Sequence, residues 1–314
     1  MALITVLICT HNRAQLLART IASLNVADRP PEGAQILVVA NHCSDATHQM
    51  LEAYAHEPGD RLPLRWIAEP KKGKSNALNR ALPEVSTPLL AFVDDDHRAD
   101  VDFLSAIRNS AAEAPDADII CGRILPDWKG SEPPWVHDQG PFSIYPLPVP
   151  HFDLGPVPLW LTEDIALPSG GNAIVRLPWI ARVGLFSTEL GPVGHDLGGA
   201  EDSEWFLRAI HLGAKVRYTP AIMQHHYVDS HRFTLAKLIR LAYQRTASHT
   251  HIQLASDSDT ATVPFWAYHK LARYAAAALT SVSENRRRFY VVRCAAVLGE
   301  IAGYRRLRQA RRRG

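Results

Sequence analysis

Three consecutive carboxylates, Asp94-Asp95-Asp96, stand directly after the apolar run Leu89-Leu90-Ala91-Phe92-Val93. Like charges repel, and the end of a buried strand does not hold three of them unless something positive faces them. A divalent cation is the simplest candidate. Mg²⁺ and Mn²⁺ take oxygen ligands, usually through one or two carboxylates plus substrate phosphates. The triplet therefore points to a metal–diphosphate site. The alternative is a solvated acidic turn in which Asp96 or Asp100 caps the next helix.

Two other segments share this grammar. Ile4 to Cys9 is a short β-branched run ending in Thr10-His11-Asn12-Arg13, and Gln35 to Ala40 is another, ending in Asn41-His42-Cys43-Ser44-Asp45. Each reads as a buried strand followed by a polar cluster and a helical pattern, Leu16 to Leu24 and Ala46 to Tyr54. Such alternation predicts an α/β fold, a Rossmann-like, mainly parallel sheet sandwiched by helices. Ligands of these sheets lie outside the carboxyl ends of the strands, so the three clusters are expected on one rim.

The chain has 314 residues, 46% hydrophobic and 21% charged, enough for one large domain or two smaller ones. Its four cysteines are scattered with no C-x-x-C pair, which favours a reducing, cytoplasmic setting. Met1 to Cys9 has no basic n-region and reads as a strand, not a signal peptide. No stretch reaches the roughly 18 uncharged apolar residues of a membrane span. Net charge is only +2, yet the end is strongly basic: Arg286-Arg287-Arg288, Arg305-Arg306, Arg308 and Arg311-Arg312-Arg313.

Lys71-Lys72-Gly73-Lys74-Ser75 opens a predicted helix starting near Ser75. Lysines there oppose the helix dipole, and an anion at that end supplies a reason for them, with Lys74 the best placed. Plain solvent exposure is the alternative for each lysine. Taken in order, VLICTHNR (6–13), VVANHCSDAT (38–47), GKSNALN (73–79), FVDDD (92–96), SGGNAIV (169–175), Val183 to Phe186, GAEDSE (199–204) and HHYVDSHR (225–232) resemble the family 2 glycosyltransferases of the GT-A fold. The likeness runs over about residues 3 to 235.

The resemblance implies inverting transfer of a sugar from a nucleotide-diphosphate donor to a hydroxyl of a glycan or lipid-linked acceptor. It implies Mn²⁺ or Mg²⁺ on Asp96, with His226 ligating the metal or touching the diphosphate, and His225 structural. It assigns donor contacts to Thr10, Asn12, Arg13, Asn41, Asp45, Lys74, Asp94, Asp95, Gly171, Asn172 and Arg232. Asp202 takes the place of the general base, and Glu201 orients the acceptor or the helix start just after Gly198-Gly199. The other reading of that pair is charge complementing a helix dipole. Ala40 stands where the family frequently has Asp, Leu78 where many members have Arg, and His11 where Tyr is common. The donor base (UDP-, GDP- or dTDP-linked) therefore stays open.

Trp128 to Leu161 is rich in Pro and aromatics and reads as a long connection in which Trp135 and Trp160 either stack on a ligand or pin the loop. Residues 1–232 are expected to form the catalytic domain and 233–314 a helical, basic extension, with Ser256 to Thr262 a loop. The basic amphipathic end reads as a membrane-surface element at the inner face of the cell membrane, a homo-oligomer contact or a solvated tail. Nucleic acid is disfavoured, since no aromatics interleave the arginines and no recognition module is present. Two rival functions stand beside the transferase: a metal-dependent nucleotidyltransferase or phosphohydrolase, and a non-catalytic sugar-nucleotide or glycan-binding protein. A Rossmann dehydrogenase lacks its G-x-G-x-x-G.

Overall fold

A computed structural model describes residues 2–56, 58–145, 147–189, 201–255 and 262–311. Pro146, Gly198-Gly199, residues 256–261 of the polar stretch and Arg312-Arg313 lie outside the described residues. The chain forms two compact units, Met1–Asp127 with Pro150–Tyr227, and Trp128–Val149 with Val228–Gly314.

The first unit runs β1 (Ile4–Thr10), α1 (Ala14–Asn25), β2 (Ala34–Asn41), α2 (Thr47–His56), β3 (Leu64–Glu69), α3 (Lys74–Ala81), β4 (Leu89–Asp94), β5 (His97–Ala99), α4 (Phe103–Glu113), β6 (Ile119–Asp127), β7 (Leu159–Leu161), β8 (Ala173–Arg176), α5 (Leu177–Val183), α6 (Glu201–His211) and β9 (Val216–Tyr227). The sheet order is β3-β2-β1-β4-β8-β6-β9-β5, with β7 also on β9. Strands β3, β2, β1 and β4 are parallel, as the three apolar runs require, and they pair Thr10 with Ala40 and Cys9 with Asp94. The remaining strands are mixed: β8 runs antiparallel to β4 and β6, β6 and β9 are parallel, and β5 and β7 run antiparallel to β9.

Burial explains the near-continuous apolar runs, because helices cover both faces. Leu17, Ile21 and Leu24 of α1 and Phe103 and Ile107 of α4 pack one face with Ile4, Val6 and Ile8. Ala77 and Leu78 of α3, Trp179 of α5 and Trp205 and Phe206 of α6 pack the other with Leu7, Leu37 and Phe92. Leu78 and Ala40, the two departures from the family pattern, are both core residues in these layers. The carboxyl ends of β2, β1 and β4 thus lie side by side.

The second unit is helical: α7 (Leu235–Ala255), α8 (Phe265–Thr280) and α9 (Glu284–Arg311). Val136, Val149, Val228 and Phe233 form a small core with Trp128 and Trp135. Trp135 meets Phe233 edge-on at 5.9 Å and lies under the Arg288 guanidinium at 4.8 Å, so it pins its own segment. Trp160, in the first unit, is 46% exposed beneath Arg217. Among the described residues no helix is long and apolar enough to cross a membrane.

Candidate active site

The three carboxylates of the triplet do not share one partner. Asp94 accepts from Lys74 Nζ at 2.8 Å. Asp95, buried, accepts from the Thr10 hydroxyl at 2.6 Å and from Arg13 Nη1 at 2.9 Å. Asp96, also buried, accepts from the same Arg13 nitrogen at 3.0 Å and faces His226 Nε2 at 3.4 Å. The Thr20 hydroxyl bonds the backbone carbonyls of Asp95 and His97 at 3.0 and 2.7 Å, which fixes the turn. Neither Asp96 nor Asp100 caps α4, whose N-cap position is Asp102 without a side-chain bond.

These pairings set the protonation states. Burial alone would push Asp94 up, but the charge and the hydrogen bond of Lys74 hold it well below the usual carboxylate range. Burial pulls Lys74 down, and the charges of Asp94, Glu201 and Asp202 more than reverse this. Burial pushes Asp95 up against the pull of Arg13, and the charge of Asp96 adds to the rise.

Local geometry brings Lys74 to this point. Gly73 adopts φ 131° at the start of α3, a conformation that favours glycine, and its N–H donates to Asn41 Oδ1 at 2.9 Å. The Asn41 amide also donates to the Glu69 and Lys71 carbonyls. Both of its donors and its carbonyl oxygen are therefore engaged by the 69–73 loop. Asn12 (φ 55°) accepts from the N–H groups of Ser44 and Asp45. Asp45 in turn accepts from Ala14 N–H and from Thr47, so it ties the starts of α1 and α2. Asn172 is buried and donates to the Arg123 and Ile222 carbonyls, bracing β6 and β9.

Two adjacent glycines join the triplet to the acidic pair of α6. Gly170 N–H donates to Asp202 Oδ2 at 2.9 Å, and a Cβ on Gly170 would overlap that side chain. A Cβ on Gly171 would overlap Asp94 Oδ2 and the His97 ring. The missing Cβ atoms let the two carboxylates approach the backbone. Asp202 Oδ1 accepts from Ser203 N–H at 2.7 Å. Beside it Glu201 is 2% exposed, and its Oε2 has no hydrogen-bond partner. Burial raises Glu201 to about 7, with Lys74 opposing and Asp202 adding to the rise.

His226 Nδ1 lies 2.6 Å from the Tyr227 carbonyl. A carbonyl only accepts, so the proton is on Nδ1 and the Nε2 lone pair faces Asp96. Two acceptors 3.4 Å apart suit a cation, which makes this pair a fitting place for a divalent metal. A groove of about 510 Å³ is lined by Asp96 and His97 with Arg19, Arg98, Asp127 and Tyr227, and includes neither Lys74 nor Asp202. Arg232 belongs to the second unit, on a short 3-10 helix, Ser230–Phe233. Sequence reasoning missed Thr20, His97 and Gln224. Thr20 left a trace, a hydroxyl on the same face of α1 as Leu17, Ile21 and Leu24.

The family model described as Glycosyl transferase family 2 matches residues 5–181. Succinoglycan biosynthesis protein ExoM of Rhizobium meliloti (strain 1021) is 24% identical over 246 residues, 77% of this chain and 72% of that protein. Validoxylamine A glucosyltransferase of Streptomyces hygroscopicus subsp. limoneus is 28% identical over 122 residues, 38% of this chain and 26% of that protein. The mannosyltransferase PcManGT from Pyrobaculum calidifontis, solved with GDP-Man and Mn²⁺, matches with TM-score 0.59 and 17% identity over 96% of this chain and 86% of its own. S. aureus TarS 1-349 with UDP-GlcNAc matches with TM-score 0.54 and 14% identity over 99% and 92%. The fold is of the GT-A type.

The burial of Glu201 yields a stability prediction. Its folded-state pKa, about 7, exceeds its ordinary 4.5, so its share of stability is full below about 4.5 and falls as pH rises towards 7. Glu201→Gln is therefore expected to be more stable than wild type at pH 8, by up to about 3 kcal/mol at about 1.4 kcal/mol per pH unit. That gain should shrink towards zero below pH 4.5. Thermal melts across this range check it, and equal melting temperatures at pH 8 contradict it.

Proposed function

The chain belongs to glycosyl transferase family 2, and from that premise we propose that it moves a sugar from a nucleotide-diphosphate donor to an acceptor hydroxyl with inversion at the anomeric carbon. The observation that carries this reading is the Gly170-Gly171 dipeptide. It packs Asp202 against one residue and Asp94 against the next, so a proton acceptor and a donor-side cluster flank one point.

In this reading the acceptor oxygen attacks the anomeric carbon as the bond to the diphosphate oxygen breaks. Asp202 Oδ2 takes the hydroxyl proton, and the N–H groups of Gly170 and Ser203 hold that carboxylate in position. Lys74 brings positive charge beside Asp94 on the donor side, and Arg13 does the same between Asp95 and Asp96. Asp96 and His226 would hold Mn²⁺ or Mg²⁺, which as a Lewis acid stabilises a nucleoside-diphosphate leaving group. Relatives solved with GDP-Man and with UDP-GlcNAc support a nucleotide-sugar donor. With Ala40 in the core and Asn41 engaged by the 69–73 loop, the base is read by other groups.

Assays with UDP-, GDP- and dTDP-linked sugars, each with Mn²⁺ or Mg²⁺ and a polyprenyl-linked saccharide, test the reaction. One donor should give a glycoside of inverted anomeric configuration by NMR. Asp202→Asn should lower kcat by roughly 10³-fold with donor KM little changed, the scale of a general base. Gly170→Ala, which displaces the same carboxylate, should cost about 10²-fold. Release of free nucleotide as the main product, or full transfer by Asp202→Asn, overturns the mechanism.

The acceptor is proposed to be a glycan or lipid-linked saccharide of polysaccharide biosynthesis, used on the cytoplasmic face of the cell membrane. The helical unit supports this. Phe265, Leu279 and Val282 are 84%, 88% and 103% exposed, and Arg286 and Arg287 follow the last two in exposed positions. Sedimentation with anionic phospholipid vesicles should carry the protein down at low salt and release it at high salt. Absence from the anionic pellet at low salt contradicts the placement.

A further inference from the structure

We propose that His97 is a third protein ligand of the metal site and that it makes the site selective for nitrogen-preferring transition ions over Mg²⁺. The inference deepens the metal part of the reading above and rests on it. His97 follows the triplet on β5, and the antiparallel register sets it directly opposite His226 on β9. Directly paired residues of an antiparallel ladder share one face, so the two imidazoles lie together, edge to face with centroids 5.2 Å apart. One ligand atom each from Asp96, His97 and His226 fall within 4.8 Å of one another, and all three residues are buried. Metal–ligand bonds of about 2.0–2.2 Å allow donors up to roughly 4.4 Å apart around one ion, so small side-chain rotations close the set.

The hydrogen bonds around His97 fix which nitrogen is offered. Gln224 Nε2 donates to the Gly171 carbonyl at 3.0 Å, which turns Gln224 Oε1 towards His97 Nδ1, also at 3.0 Å. An amide oxygen only accepts, so the His97 proton is on Nδ1 and the lone pair is on Nε2. That Nε2 is buried and has no hydrogen-bond partner, its nearest charged atom being Asp94 Oδ2 at 3.8 Å. A buried acceptor without a donor costs free energy, and a metal ion satisfies it. Gln224 thus plays the outer part that orients a ligating imidazole and sets its tautomer. Histidine 226 has the same arrangement, its Nδ1 held by a carbonyl and its Nε2 facing Asp96. Two imidazoles and one carboxylate are a donor set for Mn²⁺, Fe²⁺, Co²⁺ or Zn²⁺, whereas Mg²⁺ prefers oxygen alone.

The test uses the full chain freed of metal by chelation, with no nucleotide or acceptor present, and titrates it with Co²⁺ and with Mg²⁺ by calorimetry. The visible spectrum of bound Co²⁺ is recorded in parallel. Co²⁺ should bind at least 10²-fold more tightly than Mg²⁺. His97→Gln should weaken Co²⁺ binding by 10- to 100-fold and shift its visible bands, with the thermal melt retained. Gln224→Leu should weaken it less, because the imidazole remains but its tautomer is no longer held. Unchanged Co²⁺ affinity and spectrum in His97→Gln, or equal affinity for Mg²⁺ in wild type, overturns the inference. Asp96→Asn separates the two levels: if it abolishes binding while His97→Gln does not, the metal site stands without His97. If neither variant alters binding, the metal part of the proposed function fails with it.

Discussion

Asp94, Asp95 and Asp96 can sit at the end of one strand only because each is answered by a positive group or donor. Lys74 serves Asp94, Thr10 and Arg13 serve Asp95, and Arg13 also serves Asp96. Removing one partner from such a cluster leaves a charge in a site that is largely desolvated, which costs far more than an exposed pair gains. The neighbouring loops are arranged around this requirement.

Parallel strands bring the partners together. Thr10 and Arg13 follow β1, the Asn41 clamp on the 69–73 loop follows β2, and the triplet follows β4, three adjacent strands of the sheet. The same clamp places Lys74 at the first position of α3, where its charge opposes the helix dipole and is held by Asp94. The antiparallel strands add what the parallel ones cannot. Strand β9 carries His226 to the triplet across β5, and the connection into β8 carries Gly170 and Gly171, which let Asp202 and Asp94 approach the backbone. The Lys74–Asp94 pair, the Gly170–Asp202 contact and the Asp96–His226 pair are therefore positioned by different strand ends and connections of the first unit.

Much of this was legible in the chain. The apolar runs before Thr10, Asn41 and Asp94 fix three buried strands, and the ordered motifs point to the family and the GT-A fold. What sequence could not reveal is bonding between residues far apart. Asn41 and Asn172 have the right chemistry to read a ligand, yet their amides hold backbone carbonyls on other segments. His97 lay unread beside the triplet, because only the β5–β9 register sets it across from His226. Nothing in the order of residues tells that Asp202 and Asp94 approach the Gly170-Gly171 backbone. The Glu201 carboxyl reads as a helix-start charge until its burial is seen.

The central claim is that each carboxylate of the triplet depends on its own partner, and a double-mutant cycle on the Lys74–Asp94 pair tests it most directly. Lys74→Met should lose on the order of 2 kcal/mol in denaturant unfolding, less than a fully buried pair, because the Lys74 and Asp94 side chains keep 28% and 34% of their exposure. Lys74→Met with Asp94→Asn should be more stable than Lys74→Met alone, since the charge left behind is removed. If the double variant instead loses the sum of the two single losses, Lys74 is not what holds Asp94, and the account is wrong at its base.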